Sequence, residues 1–116
     1  EPWAAMYARL RSDPQTYRLL DAAQLVKHYL GLRHSFATHE RTLVYLYWEP
    51  VNAAELAEYR DFRLEINDFA AAVAGCDKRL VALSYPSLWR EWQQNRAFVD
   101  VSRHLERLRQ RYAFGL

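Results

Sequence analysis

Cysteine is nearly absent. Cys76 is the only one in the 116-residue chain, so no intrachain disulfide can form, and a reducing, cytoplasmic setting is expected. Nothing around Cys76 supplies a base for nucleophilic chemistry, so it reads as a small residue ahead of a strand. Glycine and proline are scarce too, at three and four residues. Three scattered glycines cannot build a phosphate-cradling loop, and so little punctuation predicts long regular elements. No apolar run approaches the roughly 20 residues that span a bilayer. No basic stretch followed by an apolar one marks a signal peptide. There is no HExxH and no paired Cys/His spacing, which argues against zinc. Neither sign of charge dominates: 16 basic residues face 14 acidic ones, a formal net charge of +2. That balance neither demands nor excludes a nucleic-acid partner, because a local basic face can sit within it.

Aromatic and apolar residues are what the chain has in quantity. Four Trp, eight Tyr and five Phe stand in a sequence that is 51% apolar. Disordered chains lack such residues. One domain of this length buries roughly 65% of the surface its unfolded chain exposes. The sequence opens Glu1-Pro2-Trp3 rather than on Met, so trimming, or a start inside a longer protein, is expected.

Periodicity predicts the elements. Trp3, Met6, Tyr7 and Leu10 form one stripe of a short helix. Asp13-Pro14 reads as a cap and first helical residue, opening a second helix from Pro14 to about Phe36. RTLVYLYWE, Arg41 to Glu49, is the clearest strand. Leu43, Tyr45 and Tyr47 alternate with Val44, Leu46 and Trp48, so both faces are apolar and helices are expected on both sides. A third helix is expected over Ala53 to Ala74, with Leu56, Tyr59, Phe62, Ile66, Phe69 and Val73 as its apolar stripe and Gly75 closing it. A second strand is expected over Arg79 to Tyr85. A fourth helix follows from Pro86 to about Gln94, and a fifth from about Ala97 to Tyr112. The fold class is therefore helix-rich α/β, in the order α-α-β-α-β-α-α, with a central apolar strand covered by helices. Strand, long helix, strand is a βαβ unit with a parallel pair. Two strands make a marginal sheet, so an incomplete one is expected, completed by other parts of a longer chain or by a second copy.

Candidate chemistry is sparse. His28, His34, His39 and His104 form no ligand spacing, and His34 and His39 read as solvated. Magnesium-dependent nucleases need converging carboxylates and an acidic-x-Lys strand. No Asp or Glu here is followed two places on by Lys. Asp61-Phe62-Arg63 and Asp77-Lys78-Arg79 come nearest and read as surface charge. Glu49 ends the first strand, at the edge where α/β sheets often place ligands, and by itself makes no site. Trp89 and Trp92 read as core anchors, and the arginines from Arg103 to Arg111 as a solvated face. Gln24, Lys27 and His28 share one polar face of the second helix beside the first strand.

DAAQLVKHYLGL, then TLVYLYWEP, a long amphipathic helix and LVALSYPSLWREW resemble PD-(D/E)XK restriction-endonuclease-like proteins, in the part that follows the catalytic strand. The resemblance covers about Asp21 to Trp92. It implies that Gln24 matches the family's active-site-facing glutamine and that Lys27 and His28 lie on or beside the same face. It also implies that Leu43 to Trp48 is the subsequent core strand. The family's Asp and acidic-x-Lys pair have no match here. On this reading residues 1–116 are one domain, or the C-terminal portion of a larger nuclease-like domain, with no catalytic or metal ligand of their own. DNA is then the expected partner, and Mg2+ is expected only with a catalytic half supplied from elsewhere, such as a missing N-terminal segment. The alternative is a non-catalytic protein-interaction module, stable alone or as a homodimer whose two-stranded sheet is completed across a symmetry axis.

Overall fold

The computed structural model describes residues 1–75, 79–95 and 102–116. Helix α1 spans Pro2–Ser12 and α2 Ala22–Ser35; strand β1 is Thr42–Tyr47; α3 is Ala57–Ala72; β2 is Arg79–Ser84; α4 is Tyr85–Gln94 and α5 Ser102–Tyr112. The order is α-α-β-α-β-α-α, and β1 and β2 pair in parallel in an open two-stranded sheet. Cys76, Asp77, Lys78, and the expected start of the fifth helix with Phe98 and Val101, lie outside the described residues.

Two expected boundaries move, for physical reasons. The second helix starts at Ala22, not Pro14. Asp13 does act on the chain after it, but as a turn: its Oδ1 accepts the Gln15 N–H at 3.0 Å. Residues 18–20 then give their N–H groups to a side chain far along the sequence. Glu65 Oε1 accepts from Arg18 at 2.9 Å, and Oε2 accepts from Leu19 and Leu20, both at 2.8 Å. Donors satisfied in this way have no need of a helix. Asp21 is the true cap, its Oδ1 accepting the Gln24 N–H at 3.1 Å. The third helix is likewise shorter than Ala53 to Ala74. Ala53–Glu55 is a single 3-10 turn, and Leu56 is extended (φ −98°, ψ 121°) before α3 begins. Gly75 follows α3 with φ +89°, a conformation that glycine adopts without the clash a Cβ would bring.

The chain packs as two units. The first comprises residues 1–45 and 61–82. Its core is aromatic. Trp3 is 1% exposed and lies parallel to Tyr29, with ring centroids 4.1 Å apart. Phe69, fully buried, meets both Trp3 and Tyr17 edge-on at 5.7 Å. Met6, Leu20, Leu25, Val26, Ile66 and Val73 fill the remainder. The predicted α3 stripe therefore holds in its second half, where Ile66, Phe69 and Val73 are spaced by three and four.

The second unit comprises residues 46–60 and 83–116. Trp48 Nε1 donates to the Tyr112 carbonyl at 2.8 Å, and its ring lies against Phe114 and Tyr59. Asn52 holds the tail in both directions: Nδ2 donates to the Leu116 carbonyl at 2.8 Å and Oδ1 accepts the Leu116 N–H at 3.0 Å. Ser84 caps α4 through the Ser87 N–H. Trp89 on α4 and Leu105 on α5 are buried.

The expectation that helices cover both faces of the first strand needs correction. Leu43, Tyr45 and Tyr47 are half-buried, whereas Thr42, Val44 and Leu46 are exposed, Val44 at 51%. One flank of β1 presents apolar side chains to solvent.

Candidate nucleic-acid interface

Helix α2 owes its placement to its apolar side. Ala22, Leu25, Val26 and Tyr29 are buried, at spacings that put them on one face. The opposite face must then carry Gln24, Lys27, His28 and Gly31, and all four are exposed. Lys27 and His28 line an open depression of about 630 Å³. Its floor and far wall come from Leu32, Phe36, Leu43 and Val44, so the exposed Val44 of β1 faces the same hollow. Gln24 shares the helical face but is not part of the depression's lining. Lys27 also borders a smaller recess with Tyr7, Leu10 and Val26 on the α1 side. That position suits a lysine: an alkyl stem lies along apolar surface and the ammonium reaches water.

The end of α2 is basic. Arg33 and His34 occupy its last turn, where the helix dipole favours cations. Arg41 reaches back and donates to the Arg33 carbonyl at 3.2 Å. His39 lies edge-on to Phe36, with centroids 6.0 Å apart. His34 and His39 are both exposed, as solvated histidines should be.

The start of α2 is held by carboxylates that do structural work. Burial acts to raise the Glu65 carboxyl, but the backbone donations from Leu20, Arg18 and Leu19, with the Arg18 charge, hold it below its ordinary value. Tyr17 donates its hydroxyl to Asp68 at 2.7 Å. Burial first, and that hydrogen bond second, push the Tyr17 phenol up to about 12. Arg9 lies over the Tyr17 ring and 3.9 Å from Asp68. Glu1 caps α1 through the Ala4 N–H and accepts the Tyr29 hydroxyl.

Among the described residues, the remaining acids stand apart from one another in the chain. Glu49 is half-buried two residues beyond β1. Asp61 is exposed on α3. Among the described residues no group of three His, Cys, Asp or Glu side chains is placed to hold a metal ion. The sequence holds no acidic-x-Lys strand.

A second hollow was not anticipated from the sequence. In the second unit a cleft of about 640 Å³ is walled by Trp48, Tyr85, Trp89, Trp92, Tyr112 and Phe114, together with Leu46, Leu88, His104 and Leu108. Trp89 is the buried anchor that the i, i+3 pair suggested, while Trp92 is only half-buried. The signal was the surplus of aromatics near both ends of this unit, read as core because nothing local distinguishes a cleft wall from a core wall.

The fold is helix-rich α/β with a parallel strand pair, and the comparison with known families assigns its class, a restriction-endonuclease-related one. The model of the family described as restriction endonuclease associating with ARP matches residues 4–113, and the chain belongs to that family. No curated protein and no solved structure matches it. No helix among the described residues is long and apolar enough to cross a membrane.

Proposed function

We propose that this chain is a DNA-contacting part of a PD-(D/E)XK-type endonuclease, the portion that follows the catalytic strand, and that it lacks the cleavage carboxylates itself. The observation that carries this reading is the family match over residues 4–113. It is supported by the α2 face, where Gln24, Lys27 and His28 are exposed together and two of them border the depression beside β1. Lys27 would meet phosphates; Gln24 and His28 offer donors and acceptors to bases or sugars. The carboxylates and the catalytic lysine would come from a segment other than the residues described.

The test is duplex binding by residues 1–116 across a salt series. The affinity should fall steeply with salt, and Lys27→Ala should reduce the log–log slope by about 0.9. Duplex should remain uncut with magnesium present. Binding that ignores salt, or that Lys27→Ala leaves unaltered, would defeat the reading.

A second reading has its own observation. The family's description includes association with ARP, and the first unit's part of β1 leaves Val44 51% exposed. A non-catalytic interaction module would cover it with a partner or a second copy. A homodimer at micromolar concentration that Val44→Lys dissociates would favour it.

A further inference from the structure

We propose that the aromatic cleft of the second unit receives unpaired bases of a single-stranded polynucleotide, whose phosphates follow the row Arg103, Arg107 and Arg111. The proposal deepens the nucleic-acid reading and rests on it for the class of ligand, but it uses none of the α2 residues.

The rings of the cleft are not sealed away. Trp89 is buried at its base, while Tyr85, Tyr112 and Phe114 remain 38%, 41% and 49% exposed around it. Tyr85 and Trp89 are already nearly parallel, 28° apart, with centroids at 6.2 Å. Trp48 is fixed by its bond to the Tyr112 carbonyl. Tyr85 and Phe114 offer ring faces with solvent access, and Tyr112 offers one beside the Arg111 guanidinium, which lies 5.5 Å from its ring centroid; such faces are what a base stacks on, and stacking of this kind accepts any base.

The charge lies where the strand would need it. Helix α5 lines the cleft with His104, Leu108 and Tyr112. Arg107 and Arg111 follow His104 and Leu108 by three residues, so they stand beside that row on the helix surface. Arg103, Arg107 and Arg111 are all exposed. They step along the axis by about 6 Å each, a spacing on the scale of successive phosphates of one strand. Arg109 falls on another face and is engaged by Gln93 at 2.7 Å. Apolar walls alone would suit a peptide. The arginine row beside them selects a polyanion, and the ring faces select one with exposed bases.

The experiment is a titration of the chain followed by tryptophan emission, since Trp48, Trp89 and Trp92 all line the cleft. The probes are short oligothymidylate, short oligouridylate and an abasic strand of equal charge. Both base-bearing strands should quench emission. The abasic strand should bind at least tenfold more weakly and leave emission unchanged. The ratio of deoxy to ribo affinity then identifies the polymer. Tyr112→Ala and Phe114→Ala should each weaken binding about tenfold, Tyr112→Phe should bind as the parent does, and Arg107→Ala should lower the salt slope by about 0.7. Lys27→Ala should leave this quenching intact even where it weakens duplex binding, so the two readings fail separately. Equal affinity for the abasic strand, no quenching by either base-bearing strand, or unchanged affinity in a Tyr112→Ala chain that melts like the parent would each overturn the proposal.

Discussion

The carboxylate of Glu65 accepts the backbone N–H of Leu20 at 2.8 Å, across 45 positions of sequence. With Arg18 and Leu19 as further donors, one side chain on α3 satisfies three consecutive amides of the segment that leads into α2.

Removing that carboxylate should destabilise the first unit more than any surface change. Glu65→Ala removes the acceptor of three amides that are partly open to water, and should cost about 1–2 kcal/mol, below the sum for buried orphaned partners. Glu65→Gln should cost less, because one oxygen still accepts. Thermal unfolding of the two variants beside the parent measures both.

Acid should act through the same group. The folded Glu65 carboxyl lies below its ordinary value of 4.5, so its contribution is present above about pH 4.5 and is lost as pH falls through the folded value. The parent should therefore lose stability on acidification more steeply than Glu65→Gln. Equal pH dependence of the two unfolding midpoints would contradict this.

Tyr17 predicts the opposite end of the scale. Its phenol is raised from 10.0 to about 12. The stability it contributes is complete below pH 10 and lost as pH rises through about 12. Tyr17→Phe removes the bond to Asp68 and should cost about 1 kcal/mol at neutral pH, with a shallower alkaline decline. Ultraviolet titration should show one phenolate fewer appearing late.

Lys27→Ala, His28→Ala and Gln24→Ala touch exposed positions only. Each should leave thermal stability within about 0.5 kcal/mol of the parent. Lys27→Ala and His28→Ala should still weaken duplex binding if this helix face meets DNA. A loss of affinity without a loss of stability separates contact from scaffold.

Trp48→Phe keeps a ring against Phe114 but removes the donor to the Tyr112 carbonyl. It should lower stability by about 1–2 kcal/mol. Trp48→Leu, which also loses the ring contacts with Tyr59 and Phe114, should cost more.

What the sequence revealed follows the reach of each interaction. The strands TLVYLY and RLVALS and the α3 stripe are local patterns, so their order and type were legible. Ile66, Phe69 and Val73 were expected on one face and are buried there. Asp13-Pro14 carries a helix-start signal, yet Glu65, more than forty residues on, takes the amides that would have entered that helix. No local pattern encodes such a partner. The polar face of α2 was legible because helical spacing alone places Gln24, Lys27 and His28 together. That Gln24 stands outside the depression, and that β1 leaves Val44 exposed, depends on what packs against each element. The aromatic cleft was hidden for the same reason: Trp92 and Tyr112 have the spacing of core residues and keep part of their surface in water.

The first unit is discontinuous, formed from residues 1–45 and 61–82, and this sets an order of events at the ribosome. Trp3 and Tyr29 can meet as soon as α1 and α2 have emerged, but Phe69, which both Trp3 and Tyr17 contact edge-on, is still to be made. At about 5–20 residues per second, Phe69 follows Tyr29 by roughly 2–8 s. Through that interval the nascent chain presents an unfilled aromatic surface, and the amides of residues 18–20 donate to water. It becomes a folded unit only when α3 has been made and can close over it.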